Sequence, residues 1–321
     1  MIRLLALLAL TVLTSIGAQA QTYPFHTAWL IVPFATGGPT DVVGRIVADI
    51  FTRHLGEKFI VENIGGAGGT TGATRVARAR ADGYTLVIGH MGTHAAAPAL
   101  YHSLGYDPEK DFEPIGLIVE QPQLLTVRRD FPANSLKEFA AYAKANESKI
   151  NAGHAGVGSV SYIGCVLLNS AIGIRPIMLP FNSTVPVMKA IVAGTLDYGC
   201  DPVLNPLPHV KAGTAKALAI ATHKRSPLLP KVPTSFEQGM PEFDCAPFYA
   251  VFAPKGTPKE IVDKLAAALN KGLDEPAVQK RFADLGADIA EPARRGPKAL
   301  TELVKSEVAR LTPILKAASA K

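Results

Sequence analysis

Four short stretches gather glycine with hydroxyl or imidazole side chains. They are 33–41 (PFATGGPTD), 66–72 (GAGGTTG), 89–98 (GHMGTHAAAP) and 153–161 (GHAGVGSVS). Each follows an apolar run and precedes a helical pattern. Backbone N–H groups crowd at such junctions, and a helix start carries partial positive charge. The chemistry they suit is anion binding. No Lys or Arg stands in any of the four. Amides, hydroxyls and water would have to do the holding, which favours a small carboxylate over a multiply charged phosphate. The plainer alternative, at any single stretch, is that glycine only permits a tight turn.

Other chemistries fit less well. A dinucleotide loop fails at Gly66-x-Gly68-x-x-Thr71, because the last glycine falls one residue late at Gly72, and Asp82 meets the acidic position only loosely. No Gly-Lys-Ser/Thr exists for a P-loop, and no G-x-S-x-G for a nucleophile elbow. Ser159 and Ser161 near His154 invite a Ser–His pair, but a hydroxyl ligand to a bound anion is the simpler account. His90 and His94 are four apart and could share a metal on a helix; Gly92 between them argues against that helix, and no H-E-x-x-H occurs. His94 then reads as a polar lining residue. The residues call for neither metal nor cofactor. Asp41 poses a conflict: a carboxylate suits a helix start but repels a bound anion. It must bond local amides and face away, or meet a neutral or cationic part of the ligand. Asp197 and Asp201 flank an apolar strand and either orient loops or are solvated strand ends.

The elements that must position these residues repeat one device, a strand running through a glycine-rich turn into a helix. Strands are expected at 29–34, 59–63, 84–88 and 149–153, with helices at 41–51, 73–79, 95–100 and through Leu168. Such alternation implies an α/β fold with mostly parallel sheets flanked by helices. Ser135-x-x-Glu138 and Thr257-Pro258-Lys259-Glu260 are expected capping boxes. A last helix opens at Gly296-Pro297, with Leu300, Leu303, Val304, Leu311 and Leu315 on its apolar side. The chain has no long linker, so two lobes, if present, must be joined by more than one crossing.

Composition agrees with a filled, secreted globule. Met1-Ile2-Arg3, the apolar run 4–13 and Ala18-Gln19-Ala20 form the three parts of a secretory signal, cleaved after Ala20. No Cys follows, so no lipid anchor is expected. The remainder exceeds what one core usually supports, which predicts two lobes. Hydrophobic residues at 48% and charged residues at 19% argue against disorder. The net charge of +6 is scattered rather than clustered, which speaks against nucleic-acid binding. Cys165, Cys200 and Cys245 contain no C-x-x-C. Buried thiols are the simpler reading, and one disulfide among the three stays open.

The chain resembles the Bug/TctC proteins, the periplasmic substrate-binding components of tripartite tricarboxylate transporters. The resemblance rests on Val32-Pro33-Phe34 with Gly37-Gly38-x-x-Asp41, Val61-Glu62-Asn63 with Gly66-Ala67-Gly68-Gly69-x-x-Gly72, Asp82-Gly83-Tyr84-Thr85-Leu86 and Gly92-Thr93-His94. It continues through Tyr106-Asp107-Pro108, Leu207-Pro208-His209 and Phe252-Ala253-Pro254-x-Gly256-Thr257-Pro258. It implies a type II-like periplasmic binding protein that closes like a flytrap. Lobe one would span 21–121 plus 247–321 and lobe two 122–246, with crossings near Gln121 and Pro247. It also implies carboxylate-binding positions at Phe34, Thr36, Gly37, Gly38, Asp41, Thr70, Thr93 and His94 in lobe one. Those in lobe two would be Gly156, Gly158, Ser159, Ser161 and Asp201. The implied role is a monomeric, non-enzymatic binder, without cofactor, metal or nucleic acid, that delivers a di- or tricarboxylate, aromatic acid or amino acid to membrane permease subunits. Presenting the ligand to a sensor kinase is the second role the resemblance leaves open. There are departures: Tyr162 replaces a histidine, and Pro180-Phe181-Asn182-Ser183-Thr184 lacks a usual lysine, weakening the expectation of a second carboxylate on lobe two.

Overall fold

The computed structural model describes residues 22–319. The expected signal segment and its cleavage site lie outside the described residues. Strand β1 (Ala28–Val32) is almost wholly apolar and pairs in parallel with β2 (Phe59–Asn63) on one side and β3 (Thr85–His90) on the other. Parallel neighbours need helical crossovers. These are α1 (Pro39–Leu55) and α2 (Thr70–Ala77). The helix expected at 95–100 is shorter, α3 (Ala97–Leu100), and follows a π turn over Gly92–Ala96.

Strand β4 (Phe112–Glu120) ends the first run, and the chain passes directly into β5 (Gln123–Arg128) of a second sheet. There α4 (Leu136–Ala145), β6 (Asn151–His154), α5 (Val160–Ile172), β7 (Ile177–Pro180), α6 (Thr184–Val192) and β8 (Tyr198–Pro202) repeat the same device. The short helix α7 (Leu207–Lys211) leads to β9 (Ala215–Ile220). The return crossing delivers β10 (Phe248–Pro254) to the first sheet. The two crossing segments bond each other: Gln121 N–H donates to Pro247 O and Gln123 N–H to Cys245 O, both at 3.0 Å.

The sheet orders are β11-β4-β10-β3-β1-β2 and β7-β6-β8-β5-β9, with β11 at Asp288–Ile289. In each lobe the strand that arrives from the other one, β10 or β5, runs antiparallel to both neighbours. Strands joined by helical crossovers stay parallel. The result is two α/β lobes.

On the first sheet, Val43, Ile46, Val47 and Ile50 of α1 form one core with Leu265, Leu269 and Leu273 of α8 (Lys259–Leu273). After α9 (Pro276–Asp284), the last helix α10 (Pro297–Ser319) buries Leu300, Val304, Leu311 and Leu315, while Leu303 is half-buried. A second core runs continuously from Ile31 and Phe252 of lobe one to Phe139, Leu167 and Tyr198 of lobe two, sealed by α10. The Ser135 hydroxyl caps α4 by accepting the Glu138 N–H at 3.1 Å, and Glu138 reaches one residue further back than expected, to Asn134 N–H at 2.8 Å. The box expected at Thr257 does not form: its hydroxyl donates to Pro254 O at 2.7 Å, and Pro258 sits at the helix boundary instead.

Candidate functional site

Ligands of open α/β sheets sit beyond the carboxyl ends of the strands. Here the carboxyl ends of β1 and β3 in lobe one face those of β6 and β7 in lobe two. Between them lies a partly open cavity. Its lining includes the first turns of three helices: Gly38, Pro39 and Thr40 of α1, Ser159 to Ser161 of α5, and Ser183 and Thr184 of α6. No Lys, Arg, Asp or Glu lines it. The available positive potential is that of peptide N–H groups at helix starts.

At the α1 start, Asp41 is buried and does not line the cavity. Its Oδ2 accepts from Gly37 N–H and Arg45 Nε–H, and its Oδ1 from Asn63 Nδ2, each at 2.9 Å. Burial pushes the carboxyl up, but the Arg45 guanidinium, the Gly37 amide and the Asn63 amide outweigh it and hold it below the usual carboxylate range. The conflict posed by the sequence resolves as local bonding. The same Asn63 side chain donates to Phe34 O at 2.9 Å and accepts from the Thr36 hydroxyl at 3.1 Å, so the whole turn is braced from β2.

At the end of β3, His90 is fully buried and lines the cavity. Its Nδ1 accepts Gly92 N–H at 2.9 Å and Thr93 N–H at 3.3 Å. Burial lowers its pKa to about 3, which keeps the ring neutral. Tyr249, its partner across the β3/β10 ladder, is also fully buried and lines the cavity. His90 Nε2 has no hydrogen-bond partner among the described residues, and the Tyr249 hydroxyl makes no bond within 3.5 Å, although the Thr40 side chain acts on it.

In lobe two, Ser161 Oγ accepts Ala155 N–H at 3.0 Å, Ser159 Oγ caps α5 by accepting Tyr162 N–H at 3.2 Å, and the two hydroxyls touch at 3.1 Å. No base pairs with either, since His154 stacks edge-on against Tyr162 and its Nδ1 is unpartnered. The Thr184 hydroxyl is likewise buried and unpartnered.

Of the residues expected from sequence, Phe34, Gly38, Ser159 and Ser161 come together around the cavity. Thr36 and Gly37 are exposed, their polar groups committed to Asn63 and Asp41. Thr70 is buried and donates to Ala67 O at 2.9 Å. Thr93 and His94 lie behind the wall: His94 Nδ1 bonds the Thr93 hydroxyl at 2.9 Å and its ring stacks on Phe252 at 3.9 Å. Asp201 sits at the end of β8, one hydrogen-bonded residue from the lining, because Asn205 Nδ2 donates both to its Oδ2 and to Thr184 O. Burial pushes the Asp201 carboxyl well up. Asp197 is neither solvated nor near the cavity; it accepts from Arg128 Nε and Asn151 N–H.

Gly156 and Gly158 form the seam between the lobes. A Cβ on Gly68 would lie 1.8 Å from Val157 O, and one on Gly92 would lie 2.0 Å from Gly158 O. The lobes therefore meet backbone to backbone, and Tyr101 adds a hydroxyl bond to Val157 O at 2.5 Å. His90, Tyr249, Thr40, Ser183 and Thr184 were missed by the sequence reading. The spacing of His90 to His94 suggests only a metal pair, and Tyr249 reaches the cavity solely through its register with β3.

Residues 43–319 match the family model described as tripartite tricarboxylate transporter family receptor, TctC. MatC from Rhodopseudomonas palustris, solved with bound malate, is 45% identical with a TM-score of 0.88, covering 91% of this chain and all of that one. The periplasmic binding protein BugD is 41% identical with a TM-score of 0.87, covering 93% and 99%. Rpa4515 of R. palustris, solved with adipate, is 31% identical with a TM-score of 0.86, covering 92% and 98%. With its two-lobed α/β fold and its cleft of helix starts, this chain belongs to the TctC family of solute-binding receptors, alongside the Bug proteins.

Proposed function

We propose that this protein is a non-enzymatic periplasmic receptor that captures a small carboxylate and delivers it to the permease subunits of a tripartite tricarboxylate transporter. The observation that carries this reading is the convergence of three helix starts, without a single charged side chain, on one cavity between two lobes. Such a wall attracts an acid through peptide dipoles, and it holds no base placed on a nucleophile. The malate and adipate found in two relatives support the carboxylate class. No helix among the described residues is long and apolar enough to cross a membrane.

In this reading, 1–20 is a signal peptide cleaved after Ala20, lobe one is 21–121 plus 247–321, and lobe two is 122–246. Gly38, Phe34, Ser159 and Ser161 contact the acid, while Asp41 and Asn63 hold the first turn in place. Lobe two swings onto the loaded lobe one by hinge closure about the paired crossing segments. Micromolar affinity, about −8 kcal/mol, suffices for delivery. Thermal melts of purified protein against di- and tricarboxylates, aromatic acids and amino acids test this. At a ligand concentration 100-fold above Kd, stabilisation is expected at about 2.7 kcal/mol. A flat response to the whole panel would end the proposal.

A further inference from the structure

The two walls of the cavity offer a ligand different chemistry. Lobe two presents hydroxyls, which turn to donate or to accept. Beside the Thr40 hydroxyl, lobe one presents two fully buried ring side chains, His90, whose Nε2 has no partner among the described residues, and Tyr249, whose hydroxyl is influenced by the Thr40 side chain. They stand opposite each other in the β3/β10 ladder, with ring centroids 5.8 Å apart and edge to face. Phe34 packs on His90 at 5.0 Å, so the imidazole is held from a second side.

His90 has no freedom in what it offers. Its Nδ1 accepts two backbone N–H groups, from Gly92 at 2.9 Å and Thr93 at 3.3 Å. An imidazole nitrogen that accepts carries no proton, so the proton of the neutral ring is on Nε2. Turning the ring over would break both amide bonds. The residue therefore shows the cavity an N–H, never a lone pair.

We propose that His90, backed by Tyr249, determines specificity: the pair demands an oxygen acceptor on the ligand beside the carboxylate and rejects the ammonium of an amino acid. This rests on the carboxylate-receptor reading above and narrows its ligand class to hydroxy and oxo carboxylic acids. The group that could favour an ammonium is Asp201, whose Oδ1 is also unpartnered. It does not line the cavity, and burial drives it toward its neutral form, which removes the attraction.

Calorimetric titration of the purified protein with malate, aspartate and succinate tests the proposal on one carbon skeleton. Malate is expected to bind at least about 10-fold more tightly than aspartate, since a site built around a hydrogen bond discriminates strongly against a mismatched partner. In His90→Gln, whose side-chain amide can turn its oxygen to the ligand, that ratio should fall at least about threefold; a residue that only supported the fold would weaken both ligands alike and leave the ratio unchanged. Tyr249→Phe should weaken malate while retaining the preference over aspartate. Melting curves establish that each variant is folded, and His90→Asn replaces His90→Gln if the latter is not. Should another acid bind in place of this skeleton, its 2-hydroxy and 2-amino forms take the same comparison. Equal or tighter binding of the amino form, or an unchanged ratio in the glutamine variant, overturns the assignment of His90. Failure of every acid tested would instead remove the carboxylate reading and leave the two failures distinguishable.

Discussion

Asp41 shows how a charged residue can brace the wall of a cavity without lining it. Its carboxylate ties Gly37, Arg45 and Asn63 into one turn, which fixes the α1 start against the cavity. Its folded pKa lies below the ordinary value, so the folded state binds a proton less readily than the unfolded chain. The stability it contributes is therefore complete above the unfolded value of about 3.9 and is lost as pH falls through it toward the folded value. Asp41→Asn should cost about 1–3 kcal/mol at neutral pH, because Arg45 and the Gly37 amide lose a charged acceptor. In urea titrations the gap from wild type should be level near neutrality and shrink below about pH 4. A gap that widened on acidification would contradict the bonding described. His90, with its pKa near 3, is neutral throughout the ordinary histidine range and should add no pH dependence to binding there.

At the level of elements, the glycine-rich turns do two jobs that the sequence does not separate. Gly38 and the start of α5 face the cavity, whereas Gly68 and Gly92 let the lobes touch. In Gly68→Ala the new methyl would meet Val157 O at 1.8 Å and Tyr101 Oη at 2.7 Å, and the backbone there has φ +63. Closure should be blocked while each lobe stays folded. The expected result is at least about a 10-fold loss of affinity, with small-angle scattering showing no contraction on adding ligand. Normal contraction in this variant would mean that the seam is not where the lobes close. The capping boxes make a related point. Ser135 caps as its spacing predicts, but Thr257 does not: its hydroxyl donates to Pro254 O instead.

Across the whole molecule, one core passes from lobe to lobe and contains all three cysteines. They are free and buried, and burial pushes the Cys200 and Cys245 thiols up. A thiolate is the reactive form, so such thiols are inert. Alkylation followed by mass measurement should label none of them in the folded protein and three after denaturation. A single labelled thiol after denaturation would reveal a disulfide instead. The shared core also bears on hinge motion. The crossing segments bond each other, and α10 packs on the apolar core that both lobes share.

What could be read from residue order alone was local: strand, turn, helix, repeated in both halves, and turns rich in N–H donors but empty of cations. Period and punctuation carry that information, since they arise from neighbours along the chain. Strand β2 falls where its pattern places it, and Phe34, Gly38, Ser159 and Ser161 reach the cavity from their turns. Which hydroxyl faces the cavity and which braces a turn could not be read that way. Thr36 and Thr40 sit four apart in one stretch, yet one bonds Asn63 and the other lines the wall. Tyr249 stands opposite His90 only because the chain crosses twice and re-enters the first sheet antiparallel. Register between strands far apart in sequence is set by packing of the whole, and the donor pair on the lobe-one wall exists only at that level.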